Sequence, residues 1–176
     1  MHYVAVDYET YYDSDYSVRT LGPRGYVLDP RFESPIVSVY GENGEGLVSY
    51  SGPPGEFDWE SIADCEWVSW NTGFDQTVHI RNAELGLVPS RGGEVWHDAS
   101  HLSVFLCAGR ALATAGENLY GKTISKDVRD NMKGVHYSSL HPDQKQAWID
   151  KLCKVYFIGT YTVLVPIMLS KVDKRL

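Results

Sequence analysis

The stretch Val4-Ala5-Val6-Asp7-Tyr8-Glu9-Thr10 runs apolar for three residues and then breaks into two carboxylates spaced i, i+2. In a strand, residues i and i+2 point to the same face. Asp7 and Glu9 therefore stand about 7 Å apart at the end of a strand whose first half is buried. Two carboxylates this close repel each other and raise each other's pKa. A hard divalent cation, which takes oxygen ligands, relieves that repulsion. The stretch is a candidate Mg²⁺ or Mn²⁺ site on a first strand. A strand leading into an acidic loop is the plainer reading of the same residues.

The chain has 176 residues, 43% hydrophobic and 22% charged. That is enough for a single domain, residues 1–176, with its own core. No apolar run approaches the length of a membrane span, and Met1-His2-Tyr3 does not open a signal peptide. Cys65, Cys107 and Cys153 are scattered without paired or metal-type spacing. They point to a reducing, cytoplasmic compartment and to thiols in or near the core. The net charge of −7 argues against tight, non-specific nucleic-acid binding through bulk charge. It leaves room for a nuclease, because bound cations reverse the local field of an acidic site.

Strand signals fall at Val4 to Asp7, Ile36 to Tyr40 and Leu47 to Tyr50, the last two forming a hairpin across Gly41 to Gly46. Residues 10 to 35 show no period and read as a long loop with short structure around Val18 to Leu21. Phe57 to Ala63 reads as a short helix, and Glu66 to Trp70 as a buried strand running into Asn71-Thr72-Gly73-Phe74-Asp75 and a helix over Gln76 to Leu85. A strand at Val95 to Asp98 precedes helices over Ala99 to Cys107, with Asp98 as N-cap, and over Arg110 to Leu119, stopped near Gly121. A last helical region opens at His141-Pro142-Asp143 and runs to Met168, interrupted at Pro166. Strands first, then strand–helix alternation, then helices, specify an α/β or α+β domain with a mixed central sheet.

Asp75 follows a buried strand and begins a helix. It either caps that helix or turns back towards neighbouring strand ends, where it adds a third carboxylate to Asp7 and Glu9. Asp-x-Glu on a first strand followed by Asn-x-x-Phe-Asp resembles the first two motifs of the DEDD 3′–5′ exonucleases. The chain is most similar to the N-terminal exonuclease domain of phage family A DNA polymerases. Asp7-Tyr8-Glu9-Thr10-Tyr11-Tyr12 with Asp15-Tyr16-Ser17-Val18 carries this likeness, as do Tyr26 to Glu33, Trp96-His97-Asp98-Ala99, Leu112-Ala113, Gly121-Lys122 and Lys126 to Lys133. It extends over about residues 3 to 165.

The resemblance implies a ribonuclease H-like α/β fold, its mixed central sheet flanked by helices. It implies metal-dependent 3′–5′ hydrolysis of DNA to nucleoside monophosphates in proofreading or replication, and a place in the host-cell cytoplasm if the origin is a phage. Two divalent ions about 3.5–4 Å apart would clamp the scissile phosphate. Asp7, Glu9 and Asp75 would be metal ligands, Asn71 and Phe74 would shape the bed of the terminal nucleotide, and Thr10 would lie beside the substrate backbone. Tyr156 stands where the catalytic tyrosine, which orients the attacking water, is expected. The implied partners are a single-stranded or frayed DNA 3′ end and a polymerase domain or replication proteins. The chain has no room for a polymerase domain, so it is either a free-standing exonuclease or the front piece of a longer polymerase.

The resemblance breaks at the fourth acid. Four residues beyond Tyr156 stands Thr160, where Asp is expected, and one Asp inserted after Gly159 would restore the pattern. Asp150 and Asp173 are the nearby acids. A hydroxyl ligates Mg²⁺ poorly, so one ion should be held weakly and several kcal/mol of transition-state stabilisation could be lost. The alternative is therefore a weakened exonuclease-like domain that binds a DNA end or a protein partner without efficient cleavage.

Three further features have two readings each. Lys122, Lys126, Arg129 and Lys133 form a basic stripe on a helix, for phosphate contact or as a solvated face interleaved with Asp127 and Asp130. Tyr8, Tyr11, Tyr12, Tyr16, Tyr26 and Phe32 either stack on bases or pack the core and loops. His97 and His101, spaced i, i+4, make a metal pair only if one helix carries both, and no third ligand supports them.

Overall fold

The structure, a computed structural model, describes residues 2–90, 92–121 and 131–152. Its strands are β1 (Tyr3–Glu9), β2 (Ile36–Glu42), β3 (Leu47–Gly52), β4 (Glu66–Ser69) and β5 (Trp96–Asp98). They form one mixed sheet in the order β3-β2-β1-β4-β5. β2 is antiparallel to β1 and β3, whereas β4 is parallel to β1 and β5. The helices are α1 (Val18–Leu28), α2 (Thr72–Glu84), α3 (Ala99–Phe105), α4 (Leu112–Tyr120) and α5 (Pro142–Leu152). The architecture is α/β, a mixed five-stranded sheet flanked by helices.

The pleat of β1 sorts its residues. Val4, Val6 and Tyr8 join the main core with Val37, Val39 and Trp67, and with Tyr26, Val27 and Val78 of α1 and α2. Ala5, Asp7 and Glu9 point to the other face. There Val68 and Ala99 pack with Tyr3, Trp70, Leu102 and Leu119, which brings α3 and α4 onto the sheet. Trp148 and Ile149 of α5 pack with Ile36 and Met132. Each fully buried side chain of this size contributes about 1.5–3 kcal/mol of burial. That outweighs helix propensity differences below ~1 kcal/mol per residue.

Several boundaries differ from the sequence reading. The loop expected over residues 10 to 35 contains α1, whose period is hidden by Gly22 at φ 69, ψ 162. Pro23 opens a second short helical run there, at a position where its missing N–H is not needed. The expected helix over Phe57 to Ala63 is instead a pair of 3₁₀ turns, Pro54–Glu56 and Trp59–Ile62. Asp98 caps α3 by accepting from the His101 N–H at 3.0 Å, and Gly121 ends α4 in the left-handed region at φ 62, both as expected. Cys65 is buried, but Cys107, which follows the C-cap of α3 at φ 58, is exposed. The predicted helix over Val163, Leu164 and Ile167, its break at Pro166, and Cys153 lie outside the described residues.

The tyrosines after the first strand are internal. Tyr8, Tyr11, Tyr16 and Tyr26 are all buried. The Tyr16 hydroxyl donates to the Tyr26 carbonyl at 2.8 Å, and the Tyr26 hydroxyl donates to the Tyr11 carbonyl. Packing, not base stacking, accounts for these four. The Tyr8 hydroxyl also reaches His79 Nδ1 at 2.7 Å, which ties α2 to β1. His79 is ringed by Trp59 and Trp67, each with its centroid 5.0 Å away. Burial pushes its pKa down to about 4, against a smaller upward pull from Glu94.

Two outcomes follow from these contacts. Gly41 pairs with Val4, and a Cβ built on it would lie 2.5 Å from the Tyr3 carbonyl oxygen and 2.9 Å from the Val4 Cα. Gly41→Ala should therefore force β2 off β1 and cost about 1–3 kcal/mol, read as a lowered urea midpoint. The His79 imidazole resists protonation in the folded state but accepts it freely near pH 6.5 when unfolded. Its contribution to stability is complete above that pH and is lost as the pH falls from about 6.5 towards about 4. Urea titrations at the two ends of that window should show His79→Gln losing less stability on acidification than the wild type, by up to about 3 kcal/mol.

Candidate active site

β1, β4 and β5 run parallel, so their carboxyl ends share one edge of the sheet. In open α/β sheets ligands collect in the crevice at that edge. β1 brings Asp7 and Glu9 to it, β4 ends at Ser69 and hands the chain to α2, and β5 ends at Asp98. Asp98 accepts from the Thr72 N–H at 3.2 Å as well as from the start of α3, so one carboxylate fixes where both helices begin.

The buried face of α2 is Asp75, Val78, His79 and Asn82. Its period is helical, yet three of the four side chains are polar. Asp75 does not cap its own helix in the usual way. Its Oδ1 accepts from the backbone N–H of Tyr8 at 3.2 Å, between the two acids of β1. Asp75 is 3% exposed, which makes it the most deeply buried carboxylate at this edge. Burial, then the charge of Asp7, hold its carboxyl well above the usual carboxylate range. Hydrogen bonds from Tyr8, Ser69 and the Asn71 backbone pull the other way.

Asp7 and Asp75 are thus close enough for each to feel the other's charge. Glu9 lies two residues further along the same face of β1, paired with Ile36. Among the described residues, no three His, Cys, Asp or Glu side chains converge into a ready-made cation site. The donor chemistry nevertheless fits a hard divalent cation. A buried carboxylate beside a second one is relieved by a proton, by hydrogen bonds or by a positive ion, and the two carboxylates offer oxygen ligands.

The other expected residues are distributed as follows. Thr10 is half-buried directly after β1. Asn71 is exposed at the start of α2, and its carbonyl accepts from the N–H groups of Phe74 and Asp75 at 2.8 and 3.2 Å. Phe74 is half-buried against Tyr26, ring centroids 6.0 Å apart. Asp150 is exposed on α5 and accepts from Gln146 at 2.9 Å. Tyr156, Thr160 and Asp173 lie outside the described residues, as do Lys122, Lys126 and Arg129 of the basic stripe. His97 belongs to β5 and His101 to α3, so no single helix carries the pair, and His97 Nε2 instead meets Glu66 at 2.5 Å.

Sequence reading missed Ser69 and His79. Ser69 carries no signal, being one small residue at a strand end. His79 stands one helical turn after Asp75, which places both on one face once the helix is extended back to Thr72. No helix among the described residues is long and apolar enough to cross a membrane. No protein-family model matches the chain, and no curated protein matches its sequence.

Proposed function

We propose that the chain is a ribonuclease H-like, metal-dependent 3′–5′ exonuclease acting on the single-stranded or frayed 3′ end of DNA. The observation that carries this reading is the buried Asp75 carboxyl, bonded to the backbone between Asp7 and Glu9 and raised in pKa first by its burial and then by the charge of Asp7. A mixed five-stranded sheet with helices on both faces is compatible with the fold that the motifs imply.

Asp7 and Asp75 would hold Mg²⁺ or Mn²⁺, with Glu9 joining from the same face of β1. When bound, a pair of such ions supplies a clamp on the scissile phosphate, an activated water and stabilisation of the leaving 3′ oxygen. The protein's own part is to hold the carboxylates in register and to seat the strand. The bond from Tyr8 to Asp75 fixes α2 against β1, and the Tyr8–His79 bond prevents rotation of that helix. Exposed Asn71 and half-buried Thr10 and Phe74 lie next to the carboxylates in the chain and would meet the last nucleotide. Tyr156 would orient the attacking water.

A second reading rests on Thr160, which stands where the fourth acid is expected. Such a domain would keep cation and DNA-end binding and cut slowly or not at all. Its partner would be a DNA end or a polymerase or other replication protein.

Digestion of 3′-labelled and 5′-labelled single strands in Mg²⁺ and then Mn²⁺ tests both readings. A ladder shortening from the 3′ end, lost by more than about a hundredfold in Asp7→Ala, is the expected outcome for a working exonuclease. No cutting by the wild type, but cutting after an Asp is inserted behind Gly159, establishes the weakened domain. No cutting by either protein and no cation uptake would refute both.

A further inference from the structure

Four rings form a column that includes the segment leaving β1. His136 stacks on Tyr11 at 4.0 Å and 11°, Tyr11 on Tyr16 at 5.9 Å and 20°, and Tyr16 on Tyr26 at 4.5 Å and 15°. The three tyrosines are buried, whereas the His136 side chain is 46% exposed. One face of the imidazole lies on Tyr11, and Nδ1 meets Glu33 Oε1 at 2.7 Å. Close to half of the side chain stays open to solvent beyond these two contacts.

The column is anchored to the segment that follows β1. Tyr11 is two residues beyond Glu9, and its N–H donates to the Glu33 carbonyl at 3.0 Å. The loop bearing His136 is clasped to the same segment, with the Gly134 N–H donating to the Tyr12 carbonyl at 2.8 Å. Ile36, which follows Glu33 closely, pairs with Glu9. An open, flat ring is thus held rigidly beside the end of β1.

We infer that His136 is a base-stacking platform for the single strand entering this site. The inference rests on the proposed exonuclease reading and adds a binding residue to it. Every nucleobase has a π face, so such a platform is tolerant of sequence. The ring is fixed in advance by Tyr11 and Glu33, so little side-chain freedom is lost when a base lands on it. The stacking function expected of the tyrosines passes to the one ring of the column that solvent reaches.

The test is fluorescence anisotropy of a labelled oligothymidylate in Ca²⁺, used in place of Mg²⁺ to suppress cutting, with the full chain. His136→Ala should bind roughly fivefold to tenfold more weakly, and His136→Phe should bind as the wild type does. On a strand made abasic through its 3′ half, wild type and His136→Ala should bind alike. Wild-type affinity in His136→Ala, or weak binding in His136→Phe, overturns the platform and leaves the exonuclease reading standing. The expected binding pattern without any cutting in Mn²⁺ upholds the platform and removes the exonuclease reading. A wild type that binds no single strand overturns both.

Discussion

Asp75 is taken out of water, bonded to the backbone of the central strand and set beside the charge of Asp7. Burying an unpaired carboxylate costs several kcal/mol unless a proton, hydrogen bonds or a cation compensates. The Tyr8 N–H supplies a hydrogen bond, and the carboxyl is still held above its usual range. A carboxyl kept this way is costly to the fold alone and useful to a site that takes up positive charge. Perturbed groups of this kind cluster at functional sites.

The surrounding architecture serves that placement. The narrow approach of β2 at Gly41 sets the register of β1, and the register sets which face Asp7 and Glu9 take. The parallel pairing of β1 with β4 delivers α2 to the carboxyl end of β1. Two bonds from Tyr8, one from its main chain to Asp75 and one from its ring to His79, then hold helix and strand together. Asp98 fixes the starts of α2 and α3 from the neighbouring strand. The geometry of the edge is therefore determined by contacts on both faces of the sheet.

The sheet was legible because β1 begins as an apolar run and β2 is a run of β-branched residues, and those runs mark the strands to within a residue or two. The nearness of Asp7 and Asp75 was legible because a strand end and a strand-to-helix turn are local features, whereas the convergence of Glu9 with them is not seen among the described residues. α1 was not, because Gly22 and Pro23 break its period. The start of α2 was set too late, because its buried face carries Asp75, His79 and Asn82 where apolar residues are expected. The service that face gives to Tyr8 is a long-range contact, and hydrophobic periodicity does not record it. His136 was also hidden, since its place beside Tyr11 depends on a loop more than a hundred residues away in sequence.

The exonuclease reading depends on the proposed uptake of a divalent cation by the Asp7–Asp75 pair. It is tested most directly by titrating metal-free protein with Mn²⁺ and following the free-ion electron paramagnetic resonance signal, in parallel with Asp75→Asn. The wild type should show saturable loss of the free signal and the variant uptake weaker by more than about tenfold, since even changes to groups that only support the ligands cost ~10–100-fold in metal affinity. Equal uptake by the two proteins, or none by either, would contradict it.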